Sequence, residues 1–337
     1  MSSVPGSFRA FVVEQRDGGE VDRGARDVEG DLLEHGDGDV LVRVAWSGIN
    51  YKDNLASSAN GKVARISPLI TGIDLAGTVA AAGGSGPAEG AEVLVHGYDT
   101  GVAHHGGYGE YASVPSAWVV PLPAGLSGRE AMSLGTAGFT AALSVDRIEG
   151  HGVTPDDGPV LVTGASGGVG GFAVAILARR GFHVVASTGS AAAADWLGKL
   201  GASEIIGRED LGSPGKPLQK ERWAAVVDSV GGETLAAALS AVRYGGAVAA
   251  SGNAGGIAVP TTVLPFILRG VALLGIDSVQ VPLDERIRLW ERIADDLRPA
   301  DIDALVDSET DLDGLDASLG RIARNEVRGR IVVRVGS

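Results

Sequence analysis

Up to about residue 125, apolar and polar positions alternate in short runs at 8–14, 40–46, 75–81, 93–96 and 108–114. A period of two predicts strands with one face buried. The Gly, Pro and Asp clusters between them predict a compact, mostly antiparallel, barrel-like domain rather than a parallel sheet. From about Ser127 the pattern changes to βα alternation: the apolar run 159–163 is followed by the apolar-faced run 168–180. Further strands are expected at 183–187, 204–206, 224–230, 247–251 and 272–276, separated by helical patterns such as 191–200 and 233–242. Six strands joined by crossover helices predict a doubly wound parallel sheet. Residues 284–297 place Ile287, Leu289, Trp290, Ile293 and Leu297 largely on one face of a helix. The final alternating run, 329–335, suits the first domain better than a six-stranded sheet that is already complete, so the chain is expected to cross back. The expected fold class is α/β, with a β-rich domain over 1–125 completed by 280–337 and a doubly wound domain over 126–279.

Composition narrows the function. The chain has 337 residues, and its 45% hydrophobic and 21% charged content is that of a protein with a packed core rather than a disordered one. Apolar stretches such as 172–178 fall far short of the roughly 20 residues needed to span a bilayer, and residues 1–11 lack the basic flank and apolar run of a secretory signal. The expectation is a cytoplasmic protein with no membrane partner. A net charge of −14 repels phosphate backbones and argues against nucleic acid. There is no cysteine, which removes disulfides, thiolate nucleophiles, Cys-ligated zinc and iron–sulfur clusters. His96, His104 and His105 cluster in sequence, but their spacing is not that of the usual zinc ligands, so loop-shaping or hydrogen-bonding roles are expected and no metal.

Residues 163–170 (Thr-Gly-Ala-Ser-Gly-Gly-Val-Gly) follow a buried-strand pattern and open a helix. In that context Ala165, Gly167 and Gly170 occupy the spacing of a dinucleotide-binding turn. An NAD-preferring site usually carries an Asp or Glu at the end of the second strand, to grip the ribose hydroxyls. Here that stretch reads Ser187, Thr188, Gly189, Ser190, whose hydroxyls can donate to a 2′-phosphate that a carboxylate would repel. NADPH is the expected cofactor. Arg208, after the third strand, is a candidate cation for that phosphate, with a solvated pair to Glu209 or Asp210 as the alternative. The remaining strand-end turns, 229–232, 252–256 and 277–279, are candidate walls of the ligand site, with Asn253 and Ser278 as hydrogen-bonding residues.

Taken together, Asn50-Tyr51-Lys52-Asp53, the stretch 72–77, His104-His105-Gly106-Gly107-Tyr108, the stretch 135–141, Pro260-Thr261-Thr262 and the stretch 265–269 resemble the medium-chain dehydrogenase/reductase superfamily. Within it the chain resembles the zinc-free acrylyl-CoA reductase group, often labelled quinone oxidoreductase. The resemblance implies a GroES-like catalytic domain completed by the C-terminal segment, with a Rossmann domain between. It implies NADP contacts at Tyr51, Ser166, Gly167, Gly168, Val169, Thr188, Gly189, Ser190, Arg208, Asn253, Ile267, Ser278 and Asn325. Two departures matter: the family often has a basic residue where this chain has Ser190, and commonly Leu where it has Asn253. Phosphate grip is then expected to lean on Arg208.

In zinc-dependent relatives a Cys and a His bind the metal, and the corresponding stretches here are Asn50-Tyr51 and Ile73-Asp74. Reducing an activated C=C bond needs hydrogen-bond donors rather than a Lewis acid. The expected reaction is hydride delivery to the β-carbon of a short 2-enoyl-CoA such as acryloyl-CoA, followed by protonation at the α-carbon. Tyr51, with Asn50, is expected to donate hydrogen bonds near the substrate carbonyl or the ribose, and Tyr51 to relay the proton. A pure cofactor-packing role for Tyr51, an NADPH:quinone or enone reductase, and a non-catalytic NADPH-binding protein are the alternatives. A homodimer is implied, through the edge strand 272–276.

Overall fold

A computed structural model describes residues 4–16, 19–33, 36, 38–59, 61–84, 86–211 and 216–336. Along the chain lie β1 (Ser7–Gln15), β2 (Val21–Glu29), β3 (Asp39–Ile49), α1 (Tyr51–Ala56), β4 (Leu69–Ile70), β5 (Asp74–Ala82), β6 (Glu92–His96), β7 (Tyr111–Pro115), β8 (Val120–Pro121) and α2 (Gly128–Gly150). Then come β9 (Val160–Val162), α3 (Gly168–Arg179), β10 (Val184–Ser187), α4 (Ala194–Lys199), β11 (Glu204–Ile206), β12 (Trp223–Asp228), α5 (Gly232–Ser240), β13 (Val242–Ala250), α6 (Leu264–Arg269) and β14 (Ala272–Gly275). The chain closes with α7 (Leu283–Ala294), β15 (Val306–Asp311), α8 (Leu315–Ala323) and β16 (Arg330–Arg334).

Two compact units form, one from Met1–Thr136, Val279–Ala294 and Val306–Ser337, the other from Ala137–Ser278 and Asp295–Leu305. In the first, β3 is the organising strand. It pairs antiparallel with β5, β7 and β16, so the last strand does return to the first unit. Apolar residues alternate inward along these strands, and Phe8, Phe11, Leu41, Leu75, Ile331 and Val333 share one core. Strand β2 does not show in the hydrophobic pattern. Its sequence, VDRGARDVE, has hardly an apolar face, and backbone pairing to β1 over nine residues makes it a strand.

The second unit is a six-stranded parallel sheet in the order β11-β10-β9-β12-β13-β14, the doubly wound order in which ligands bind beyond the carboxyl ends of the strands. Helix α3 is buried from Gly170 to Leu177, which explains its unbroken apolar sequence. Residues 295–305, expected with the first domain, pack on this second unit. Trp196 Nε1 donates to the Ala304 carbonyl at 2.8 Å, and Leu297 and Leu305 are fully buried. The C-terminal amphipathic helix therefore ends at Ala294, short of the expected 297. Among the described residues no helix is long and apolar enough to cross a membrane.

Candidate active site

In the first unit β3 delivers Asn50 to the N-terminus of α1. The Asp53 carboxylate reaches back to accept the Asn50 N–H at 2.7 Å, which caps the helix and fixes where Tyr51 stands. Tyr51 is the first helical residue and is 61% exposed. Beneath it lies a buried polar network. Asn50 Nδ2 donates to Asp74 Oδ2 at 2.8 Å and more weakly to Asp53 at 3.3 Å, while Asn50 Oδ1 accepts from Arg330 Nη1 at 2.7 Å. Arg330 also pairs with Asp74 at 3.1 Å, the two side chains being 3% and 0% exposed, and donates to the Ile49 and Ser133 carbonyls. Asp74 further accepts from the N–H and hydroxyl of Thr136.

That network has room because α2 is broken. Gly135 stands at φ 51°, ψ −155°, and a Cβ there would lie 2.3 Å from Asp74 Oδ2 and 2.6 Å from Arg330 Nη2. Asp74 pairs with the Arg330 guanidinium, whereas the fully buried Asp53 carboxylate accepts from the N–H groups of Asn50 and Ile73. Burial first, and the charge of Asp74 second, push the Asp53 carboxyl up to about 6, against the N–H donors of Asn50 and Ile73. The Asn50 amide is thus committed inside the network, and Tyr51 presents the free hydroxyl.

The three clustered histidines each hold a structural bond. His96 Nε2 accepts from the Trp290 indole at 2.9 Å, His105 Nδ1 accepts from the Ile70 N–H at 3.1 Å, and His104 Nδ1 lies 2.9 Å from the His105 carbonyl. Burial pushes the His105 imidazolium down to about 4.

In the second unit the turn after β9 has the expected form. The Ala165 N–H bonds the Ser187 carbonyl at 3.1 Å, and the first helical bond runs from Gly171 N–H to the Gly167 carbonyl at 2.9 Å. The N–H groups of Gly168 and Val169 therefore precede the helical ladder and are available to an anion. Gly170 fits because a Cβ would lie 2.3 Å from the Gly164 carbonyl oxygen. Ser166 Oγ accepts from Thr188 Oγ1 at 3.0 Å, and Thr188 Oγ1 accepts from the Ser190 N–H at 3.1 Å. The Arg208 guanidinium lies over Gly189, where a Cβ would come within 2.6 Å of its Cζ and Nε. Glu209 and Asp210 turn to Gly207 instead, Asp210 accepting its N–H at 2.9 Å.

Ser166, Thr188, Gly189, Ser190 and Arg208 are thus gathered at the ends of β9, β10 and β11. Hydroxyls, backbone donors and a guanidinium, with no carboxylate at the end of β10, can hold the phosphates of a dinucleotide. Asn253 is exposed in the turn after β13, where its carbonyl accepts the Gly256 N–H. Ile267 is 68% exposed on α6, and Ser278 Oγ accepts from Thr140 Oγ1 at 2.8 Å. Asn325, in the first unit, is exposed and adopts φ 56° just past the end of α8. Arg269 donates to the Gln219, Ser240 and Val242 carbonyls, and Arg65 pairs with Asp99.

The sequence reading assigned no role to Asp53, Asp74, Thr136 or Arg330. Arg330 was signalled all the same: a charged residue opening a buried apolar strand needs a partner.

A dinucleotide-type turn on a doubly wound sheet, in a chain whose other unit is completed by the C-terminal strand, is the architecture of a two-unit oxidoreductase. Residues 36–124 match the alcohol dehydrogenase GroES-like domain, and residues 168–295 match the zinc-binding dehydrogenase domain. The chain is 54% identical over 297 residues to YhfP of Bacillus subtilis, provisionally described as a quinone oxidoreductase, covering 88% of this chain and 90% of that one. The crystal structure of YhfP with NAD bound superposes with a TM-score of 0.94 at 51% identity, covering 97% and 99% of the two chains. Acrylyl-CoA reductase AcuI of Ruegeria pomeroyi is 49% identical over 303 residues, 89% of this chain and 91% of that one. The yhdH oxidoreductase of Salmonella enterica in complex with NADP superposes with a TM-score of 0.94 at 44% identity, covering 97% and 100%. The chain belongs to the medium-chain dehydrogenase/reductase family and is an oxidoreductase.

Proposed function

We propose that this protein uses NADPH to reduce the C=C bond of a short 2-enoyl-CoA, acryloyl-CoA to propanoyl-CoA in the simplest case, and works as a homodimer. The observation that carries the reading is Tyr51, an exposed phenol fixed at a helix N-terminus over a buried, internally bonded network. When bound, the reduced nicotinamide supplies the hydride that adds to the β-carbon. Negative charge then develops on the thioester oxygen, and what the protein must furnish is a donor aimed at it. The Tyr51 hydroxyl is that donor; its proton passes to the α-carbon, and the phenolate left behind is reprotonated by solvent, to which Tyr51 is open. Asn50 acts through position: it ties α1 to Asp74 and Arg330 and so holds Tyr51 still.

NADPH rather than NADH is supported by the Gly189–Arg208 contact and by the hydroxyls of Ser166 and Thr188. The similarity to AcuI supports the enoyl-CoA substrate. The similarity to YhfP keeps a quinone or enone reductase as the second reading. NADPH consumption measured side by side with acryloyl-CoA, crotonyl-CoA and a benzoquinone separates the two, and binding of NADPH without oxidation by any of them would leave a non-catalytic protein. Tyr51→Phe is expected to lower kcat with acryloyl-CoA about 100-fold, the scale of general acid catalysis. An unchanged rate removes the acid role.

A further inference from the structure

Asp228 closes β12 with its side chain fully buried, and no step of the reaction described above uses it. One carboxylate oxygen accepts from Thr163 Oγ1 at 2.6 Å, the other from the Gly231 N–H at 2.8 Å. Thr163 follows β9 and begins the glycine turn, and Gly231 immediately precedes α5. The Asp228 carbonyl accepts both the N–H and the hydroxyl of Ser251, the residue after β13, at 2.8 and 3.1 Å. One residue therefore joins the ends of three adjacent strands.

Neighbouring atoms tighten the same joint. Ser229 Oγ donates to the Thr163 carbonyl at 3.2 Å, and a Cβ on Gly164 would lie 2.6 Å from that Oγ. Gly231, at φ +70°, would with a Cβ come within 2.7 Å of the Gly256 carbonyl oxygen and 2.9 Å of that of Gly252, on either side of Asn253. Burying a carboxyl without a cation is costly, and burial pushes this one above its usual range while Thr163 and the backbone donors pull it back. Only a side chain with two acceptor atoms answers donors from both turns. An amide would turn its NH2 toward one of them.

We infer that Asp228 is a positioning residue for the cofactor: through Thr163 and Gly231 it holds the glycine turn and the 252–256 loop in the arrangement that receives the dinucleotide pyrophosphate. This rests on the NADPH reading. Fluorescence titration of the full chain with NADPH tests it in Asp228→Asn, Thr163→Val, Thr163→Ser and the Asp228→Asn/Thr163→Val double variant. Thr163→Val and Asp228→Asn are expected to raise the NADPH Kd tenfold or more. Thr163→Ser, which keeps the hydroxyl, should stay within about threefold of wild type, and the double variant should be no worse than the poorer single one. The KM for acryloyl-CoA should move less than twofold, as a general loss of structure would not allow. Wild-type affinity in Thr163→Val, or additive losses in the double variant, overturns the inference. If Asp228→Asn does not fold, the Thr163 pair decides alone. Amide hydrogen exchange of residues 164–170 and 229–232 without nucleotide separates this inference from the reading beneath it. Exchange should quicken at both turns in Thr163→Val even if wild type binds no NADPH, and unchanged exchange overturns the inference whatever the cofactor.

Discussion

A guanidinium lying over Gly189 offers a 2′-phosphate a charge-assisted contact that a ribose hydroxyl does not call on. Arg208→Ala is therefore expected to raise the Kd for NADPH at least tenfold, about 1.4 kcal/mol, and that for NADH less than twofold. Equal losses for both would show that Arg208 shapes the turn rather than reading the phosphate. Asp53 gives a prediction of a different kind. Its folded pKa of about 6 lies above the ordinary 3.8, so the native protein holds a proton that the unfolded chain releases between those values. Stability from this group is present below about pH 4 and declines as pH rises to about 6, by up to about 3 kcal/mol. His105 and His96, whose imidazolium forms are disfavoured by burial, act in the opposite direction, so the test is a difference. Urea denaturation of wild type minus Asp53→Asn should decline from pH 4 to 6 and then level off, and a flat difference would mean Asp53 is ionised throughout. The gathering of Ser166, Thr188, Gly189 and Arg208 could be read from the sequence because each lies within a few residues of a strand end. Asp74 and Arg330 are 256 positions apart, and no local pattern joins them.

At the scale of elements, what shows in a sequence is an apolar period. Strands β3, β5 and β6 and the whole doubly wound sheet have one. β2 and the acidic β15, VDSETD, do not, since they are held by backbone pairing with exposed faces. The apolar face assigned to the C-terminal helix over-weighted Ile287: the buried positions include Arg286, fully buried and donating to the His96 carbonyl at 2.8 Å. The break in α2 was equally invisible, since Gly135 sits in a run of helix-compatible residues. It is required twice, by its dihedral angles and by the approach of Asp74 and Arg330. Gly135→Ala should accordingly cost 3 kcal/mol or more, on the order of backbone strain combined with a displaced buried ion pair. Urea denaturation measures it, and a loss below about 1 kcal/mol would show that the break relaxes freely.

At the scale of the whole molecule, the second unit's outer edge is the surface that bears on assembly. Among the described residues β14 pairs with β13 alone and stands at the end of the sheet, an edge open to pairing. Leu273 on that strand is 44% exposed, and Val263, Ile267 and Leu268 nearby are each more than half exposed. A two-fold axis beside β14 would pair the edge with its copy and cover these side chains in one self-complementary contact. Each chain carries a charge of −14, which opposes the approach of a second copy, so association should strengthen as salt screens it. Light scattering after size exclusion is expected to give twice the 34.1 kDa chain mass, with dissociation on dilution shifting to lower concentration in 0.5 M salt. Leu273→Lys places a charge at the centre of the edge without touching the glycine turn, so it should give a monomer that still binds NADPH. A wild-type monomer at all concentrations, or a dimer indifferent to Leu273→Lys, would rule out assembly through this edge.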